Sequence, residues 1–161
     1  MTATDIADSN ILEQLRRNVA KNSHLLPAAA SITVAPLDFA AHTACALDDE
    51  HFDIVLAGDV IYDDMITTSF VSFIKYLVSA AKSPVSVIIA TEKRYVFTLA
   101  ELDTVAPAFD FFMAQLAQLV RWGGQDSGGG ERIGLEFLDT DFPQYFCYER
   151  SAEMVLLKLS F

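Results

Sequence analysis

Cysteine is scarce: the 161-residue chain has two, Cys45 and Cys147. Two cysteines are too few for a disulfide scaffold and lack metal-ligand spacing. His24, His42 and His51 are scattered in the same way and outline no metal site. Basic residues are also few, 11 Lys plus Arg against 22 Asp plus Glu, for a formal net charge of −11. A surface of that sign repels phosphate, which argues against direct nucleic-acid binding and against an anionic membrane surface. No uninterrupted apolar run approaches the ~18 residues of a membrane span. No signal peptide is visible, so the expected setting is intracellular, cytoplasmic or nuclear, where cysteines stay reduced. The glycine-rich stretch 123–130 lacks the Gly-Lys-Ser/Thr ending of a phosphate loop and reads as a surface loop.

What is present is apolar. At 52% the hydrophobic fraction is far above that of an acidic disordered tail, so a core is expected in a chain with room for one domain. Residues 2–6 read as the end of a strand. Asp8 or Ser9 then caps a helix with Ile11, Leu12, Leu15 and Val19 on one side and Glu13, Arg16, Arg17 and Lys21 on the other. A second strand over 31–37 ends at Asp38-Phe39, and an acidic loop follows at 48–50. The run 54–57 is apolar on consecutive positions, the mark of a strand covered on both faces, and 85–90 reads as another buried strand. Between them a helix starts at Asp63 or Asp64 and carries Phe70, Ile74, Leu77 and Val78. Residues 98–122 are helical in pattern, with Pro107 breaking or restarting the helix. Residues 132–138 and 152–159 look like two closing strands. The order predicts an α/β fold, a mostly parallel sheet with helices on both faces.

Ligands in open α/β sheets bind beyond the carboxyl ends of the strands. Four strand ends therefore draw attention: Asp5; Asp38-Phe39; Gly58-Asp59-Val60-Ile61-Tyr62; and Glu92-Lys93-Arg94. Capping is the ordinary job of an aspartate after a strand. Several converging on one rim would suit a ligand better. One Asp can accept from vicinal ribose hydroxyls, and an Asp-Phe pair offers an acceptor for an exocyclic amine and a ring face for adenine. Gly58 permits close backbone approach, and Asp59 and Tyr62 share one turn.

Asp59-Val60-Ile61-Tyr62 resembles the acid-x-x-aromatic motif of the family-16 lysine methyltransferases, a seven-β-strand, Rossmann-like group that uses S-adenosylmethionine. The surroundings extend the resemblance: Ala57-Gly58 before the motif and Asp63-Asp64 after it, then Glu92-Lys93-Arg94, Phe142-Pro143-Gln144 and Tyr148-Glu149-Arg150. It implies that Asp5 holds the cofactor ribose, that Asp38 and Phe39 border the adenine, and that Gly58 lines the cofactor pocket. Asp59 and Tyr62 would frame the methyl-transfer site and an incoming lysine, carried on a basic segment of a protein substrate.

The family's first strand and glycine-rich loop would precede Asp5, where this sequence has four residues. The expectation is an incomplete methyltransferase sheet, with residues 1–161 a single, N-terminally truncated domain that binds the cofactor weakly. Three functions compete: a lysine methyltransferase, inactive or impaired as it stands; a catalytically dead, methyltransferase-like interaction module; and a small-molecule methyltransferase on the same fold. The Asp59-x-x-Tyr62 motif favours the first over the third.

Overall fold

A computed structural model describes residues 1–44, 52–98, 102–125 and 133–161. The acidic loop at 48–50, Cys45 and His51 lie outside them. The chain divides into two compact units, Met1–Glu50 and His51–Phe161.

The first unit begins with β1 (Thr2–Asp5), which leads into α1 (Ser9–Asn22). Asp8 rather than Ser9 is the cap: its Oδ1 accepts from the N–H groups of Asn10 (2.8 Å) and Ile11 (3.1 Å), two of the first-turn donors that a helix leaves unpaired. Leu12 is buried, Leu15 and Val19 half-buried, and Ile11 remains exposed. After a 3₁₀ turn at Ser23–Leu25 the chain enters β2 (Thr33–Pro36), which pairs in parallel with β1 from Thr2↔Thr33 to Asp5↔Pro36. Pro36 has no N–H to extend the ladder and closes it.

The second unit holds a four-stranded sheet. β3 (Ile54–Gly58) is followed by α2 (Asp64–Ala80) and β4 (Ser86–Glu92). A short hairpin, β5 (Val96–Thr98) with β6 (Asp103–Val105), precedes α3 (Pro107–Gln125), and β7 (Gly134–Leu138) and β8 (Met154–Ser160) complete the chain. The sheet order is β3-β4-β8-β7. β3 and β4 pair in parallel, as expected of the two apolar runs. β8 is antiparallel to both β4 and β7, so β3, β4 and β7 run one way with β8 reversed between two of them.

Register places Val87 and Ile89 of β4 beside Leu159 and Leu157 of β8, and all four are buried. α2 and α3 pack on each other and supply the rest of this core, chiefly Phe70, Phe73, Ile74, Phe112 and Leu116. The other face of this unit's sheet carries Ile54 and Leu56, which are 59% and 72% exposed. The expectation that β3 is covered on both faces is corrected here: it is the outer strand of its sheet, and no helix of its own unit lies over that face among the described residues. No described helix is long and apolar enough to cross a membrane.

Two further expectations are corrected. Thr98 and residues 103–105 do not join a long helix, because they pair in the β5–β6 hairpin that precedes α3. Pro107 starts α3, where its missing N–H costs nothing. Gly123 belongs to α3 and not to a loop, and a Cβ there would stand 2.7 Å from Ile133 Cδ1. Glycine is thus what lets the buried Ile133 lie against the helix. Residues 126–130 of the glycine-rich stretch lie outside the described residues. Cys147 is a free and exposed thiol.

Candidate functional site

The first unit brings Asp5 and Asp38 to one edge. Asp5 is the last residue of β1 and Asp38 lies two residues past the end of β2, and the Leu37 N–H donates to the Asp5 carbonyl at 2.8 Å, which ties the two exits together. Each carboxylate closes a small local turn: Asp5 Oδ1 accepts from the Ile6 N–H at 2.8 Å and Asp38 Oδ1 from the Ala40 N–H at 2.9 Å. The second oxygen of each has no hydrogen-bond partner among the described residues. Two exposed acceptors beside the half-buried ring of Phe39 match the chemistry of a nucleoside, with its vicinal hydroxyls and an exocyclic amine.

Gly58, Asp59 and Tyr62 belong to the second unit, at the carboxyl end of β3. The chain leaves β3 through a turn with Asp59 at φ 51°, a left-handed conformation that aspartate tolerates better than most residues. Its N–H donates to the Ala90 carbonyl of β4 at 2.9 Å, so the turn is still part of the sheet. Ile61 is 3% exposed and pins the turn to the core, while Tyr62 on its outer side is 55% exposed. Asp63 then caps α2, accepting from the Met65 (2.9 Å) and Ile66 (3.1 Å) N–H groups. Among the described residues, a Cβ on Gly58 would meet no atom within 4 Å, which leaves room beside this strand end for a ligand.

The end of β4 faces the same turn. Arg94 Nη2 donates to Oδ1 and Oδ2 of Asp59, both at 2.8 Å. Arg94, a strand-end residue in the sequence, is paired by the structure with the acid of the motif itself. Lys93 turns the other way, with Nζ 5.0 Å from the centre of the Phe109 ring, while its N–H donates to the Glu153 carbonyl at 3.0 Å. Ser151 Oγ donates to Glu92 Oε1. The exit of β4 is thereby bound to the connection that leads into β8.

Sequence reading missed how the aromatic residues are distributed. Among the described residues of this unit, the exposed aromatic side chains outside strands all lie on connections leaving the carboxyl end of a strand, while Phe97 and Phe137 lie within β5 and β7. Tyr62 follows β3, Tyr95 follows β4, and Phe142, Tyr145, Phe146 and Tyr148 follow β7. The run Tyr145-Phe146-Cys147-Tyr148 was visible in the sequence. Its exposure was not, because an aromatic-rich run reads equally well as core.

A mixed α/β chain with acids at the carboxyl ends of parallel strands, and an Asp-x-x-Tyr turn at one of them, is consistent with a methyltransferase. The chain belongs to the lysine methyltransferase family, which matches residues 1–105. It is 31% identical to the mouse protein methyltransferase-like protein 22 and 30% identical to the human one, over 97% of its own length in each case. It spans 42% and 41% of the length of those two relatives.

Proposed function

We propose that the protein transfers a methyl group from S-adenosylmethionine to the side-chain amine of a lysine in a protein substrate, with residues 1–161 contributing to one methyltransferase domain. The observation that carries this reading is the placement of Asp59-x-x-Tyr62 at the open carboxyl end of β3, in a chain of the lysine methyltransferase family. The acceptors at Asp5 and Asp38 fit the ribose and adenine of the cofactor, and Phe39 offers a ring face. S-adenosylmethionine supplies an electrophilic methyl on a sulfonium. The protein's task is alignment, because in-line displacement gains most from fixing the nucleophile on the carbon–sulfur axis.

A lysine amine with an ordinary pKa of ~10.4 must first shed its proton, which an aromatic-lined, partly dehydrated approach favours. Tyr62 is the group for that approach, and its ring face also attracts the cation before deprotonation. Asp59 offers its carboxylate to an ammonium, either the arriving lysine or the amino group of the cofactor. The net charge of −11 draws in a basic segment of substrate.

The test is transfer of labelled methyl from S-adenosylmethionine to proteins of a cell extract, with mass spectrometry to locate the label. Label on lysine side chains, reduced at least a hundredfold by Asp59→Asn, is the expected result. Label confined to small molecules, or transfer that Asp59→Asn leaves unchanged, overturns the proposal.

A further inference from the structure

The connection between β7 and β8 carries a surface that the methyl-transfer site does not account for. Its base is braced from inside. Arg150 donates through Nη1 to the Thr140 carbonyl and through Nη2 to the Phe142 carbonyl (2.9 Å), and its guanidinium lies 4.3 Å from the centre of the Phe142 ring. Gln144 Nε2 donates to the Tyr148 carbonyl, and the Asp141 N–H to Asp139 Oδ1 at 2.8 Å. These bonds hold the backbone while Tyr145 and Phe146 stand 90% and 80% exposed outside the frame. Each of these aromatic side chains can bury ~150–250 Å² against a partner, the kind of exposed apolar area found at interaction sites. The far end of the connection is fastened beside the site, through Ser151 to Glu92 and through the Glu153 carbonyl to the Lys93 N–H. Lys93 is the chain neighbour of Arg94, which holds Asp59.

The charge of this surface selects its occupant. Residues 139–149 contain Asp139, Asp141 and Glu149 and no lysine or arginine. Arg150, the adjoining cation, is consumed inward by two carbonyls and a ring. Exposed aromatic faces flanked by carboxylates attract cationic side chains, by cation–π contact on the rings and by charge at the acids.

We propose that the β7–β8 connection is the docking surface for a Lys- and Arg-rich segment of the substrate, with Tyr145 and Phe146 as its principal contacts. The inference rests on the lysine methyltransferase reading for the identity of that segment. It is measured without methyl transfer, by fluorescence anisotropy of a labelled peptide of Lys, Arg and Gly residues titrated with the full chain. Tyr145→Ala with Phe146→Ala is expected to weaken binding at least tenfold, with the circular dichroism spectrum unchanged because both side chains are exposed. Phe146→Lys, which adds a like charge to the surface, is expected to weaken it further. Equal affinity in the wild type and both variants overturns the docking surface, as does binding to phosphatidylcholine vesicles in place of the peptide. Failure of the two readings is distinguishable: a protein that binds the peptide through these residues but methylates no lysine loses the enzymatic reading alone. One that methylates lysine with an unchanged KM in the double variant loses the docking surface alone.

Discussion

Arg94 and Asp59, 35 positions apart in sequence, meet where β4 ends, with a single guanidinium nitrogen 2.8 Å from both carboxylate oxygens. The two side chains are 50% and 63% exposed. Water therefore screens the pair, and contacts of this kind contribute only ~0.2–1 kcal/mol to stability. A contact that weak fixes where the carboxylate points in the absence of other ligands, and it yields to a better-placed cation. Arg94→Gln is accordingly expected to lower unfolding free energy by less than about 1 kcal/mol. The loss should shrink in 1 M salt, where the Debye length falls to ~3 Å. Urea denaturation at low and high salt measures both. A salt-independent loss of more than about 2 kcal/mol would show that Arg94 carries structure well beyond a surface pair.

Asp63 matters for folding through the helix it caps. Its carboxylate pairs with two first-turn N–H groups of α2, the helix that buries Phe70, Val71, Phe73 and Ile74. Asp63→Ala removes the acceptor and leaves those donors to water, at an expected cost of ~0.5–2 kcal/mol. Asp63→Asn, which keeps an acceptor oxygen, should recover most of it. Thermal unfolding of the two variants side by side gives the comparison.

Inside the same helix, Thr67 is 1% exposed and its Oγ1 has no hydrogen-bond partner among the described residues. A buried hydroxyl without a partner forfeits its hydration, a penalty of ~1–3 kcal/mol. Thr67→Val keeps the branched shape and removes the polar atom, so it is expected to raise stability by about 1 kcal/mol. A fall in the urea midpoint would mean that the hydroxyl finds a partner after all.

Local signals made much of this readable from sequence. The apolar runs of β3 and β4 and the Asp caps of α1 and α2 act within a few residues, and so does the coincidence of strand ends with Asp5, Asp38 and Asp59. The β5–β6 hairpin left no such mark. Leu102 takes φ 53° at its turn, where a glycine or asparagine would have announced it, and strands of three residues, Val-Phe-Thr and Asp-Thr-Val, are too short to show a period of their own. The reversal of β8 between β4 and β7, and the choice of Asp59 as the partner of Arg94, are set by contacts distant in sequence. Exposure of the Tyr145–Tyr148 run is likewise a property of how the Arg150 brace folds the connection, and composition carries no trace of it.

Asp59 combines two roles that its substitutions separate. As a backbone position it sits at φ 51°, where a side chain without a polar oxygen is strained by ~1–2 kcal/mol. As a carboxylate it is the charged group of the Asp-x-x-Tyr turn. Asp59→Ala removes the charge and adds strain, so lost activity in that variant has two explanations. Asp59→Asn keeps the left-handed preference and removes only the charge. Asp59→Gly removes the side chain and relieves the backbone. The expected order of stability is glycine and asparagine near the wild type, alanine lower by about 1 kcal/mol. The expected order of methyl transfer is different, with all three variants reduced at least a hundredfold. Urea denaturation and the labelled-methyl assay on the same three proteins measure the two orders independently. If transfer instead follows stability, with Asp59→Gly active and Asp59→Ala impaired, the carboxylate is dispensable and the turn geometry is what the site requires.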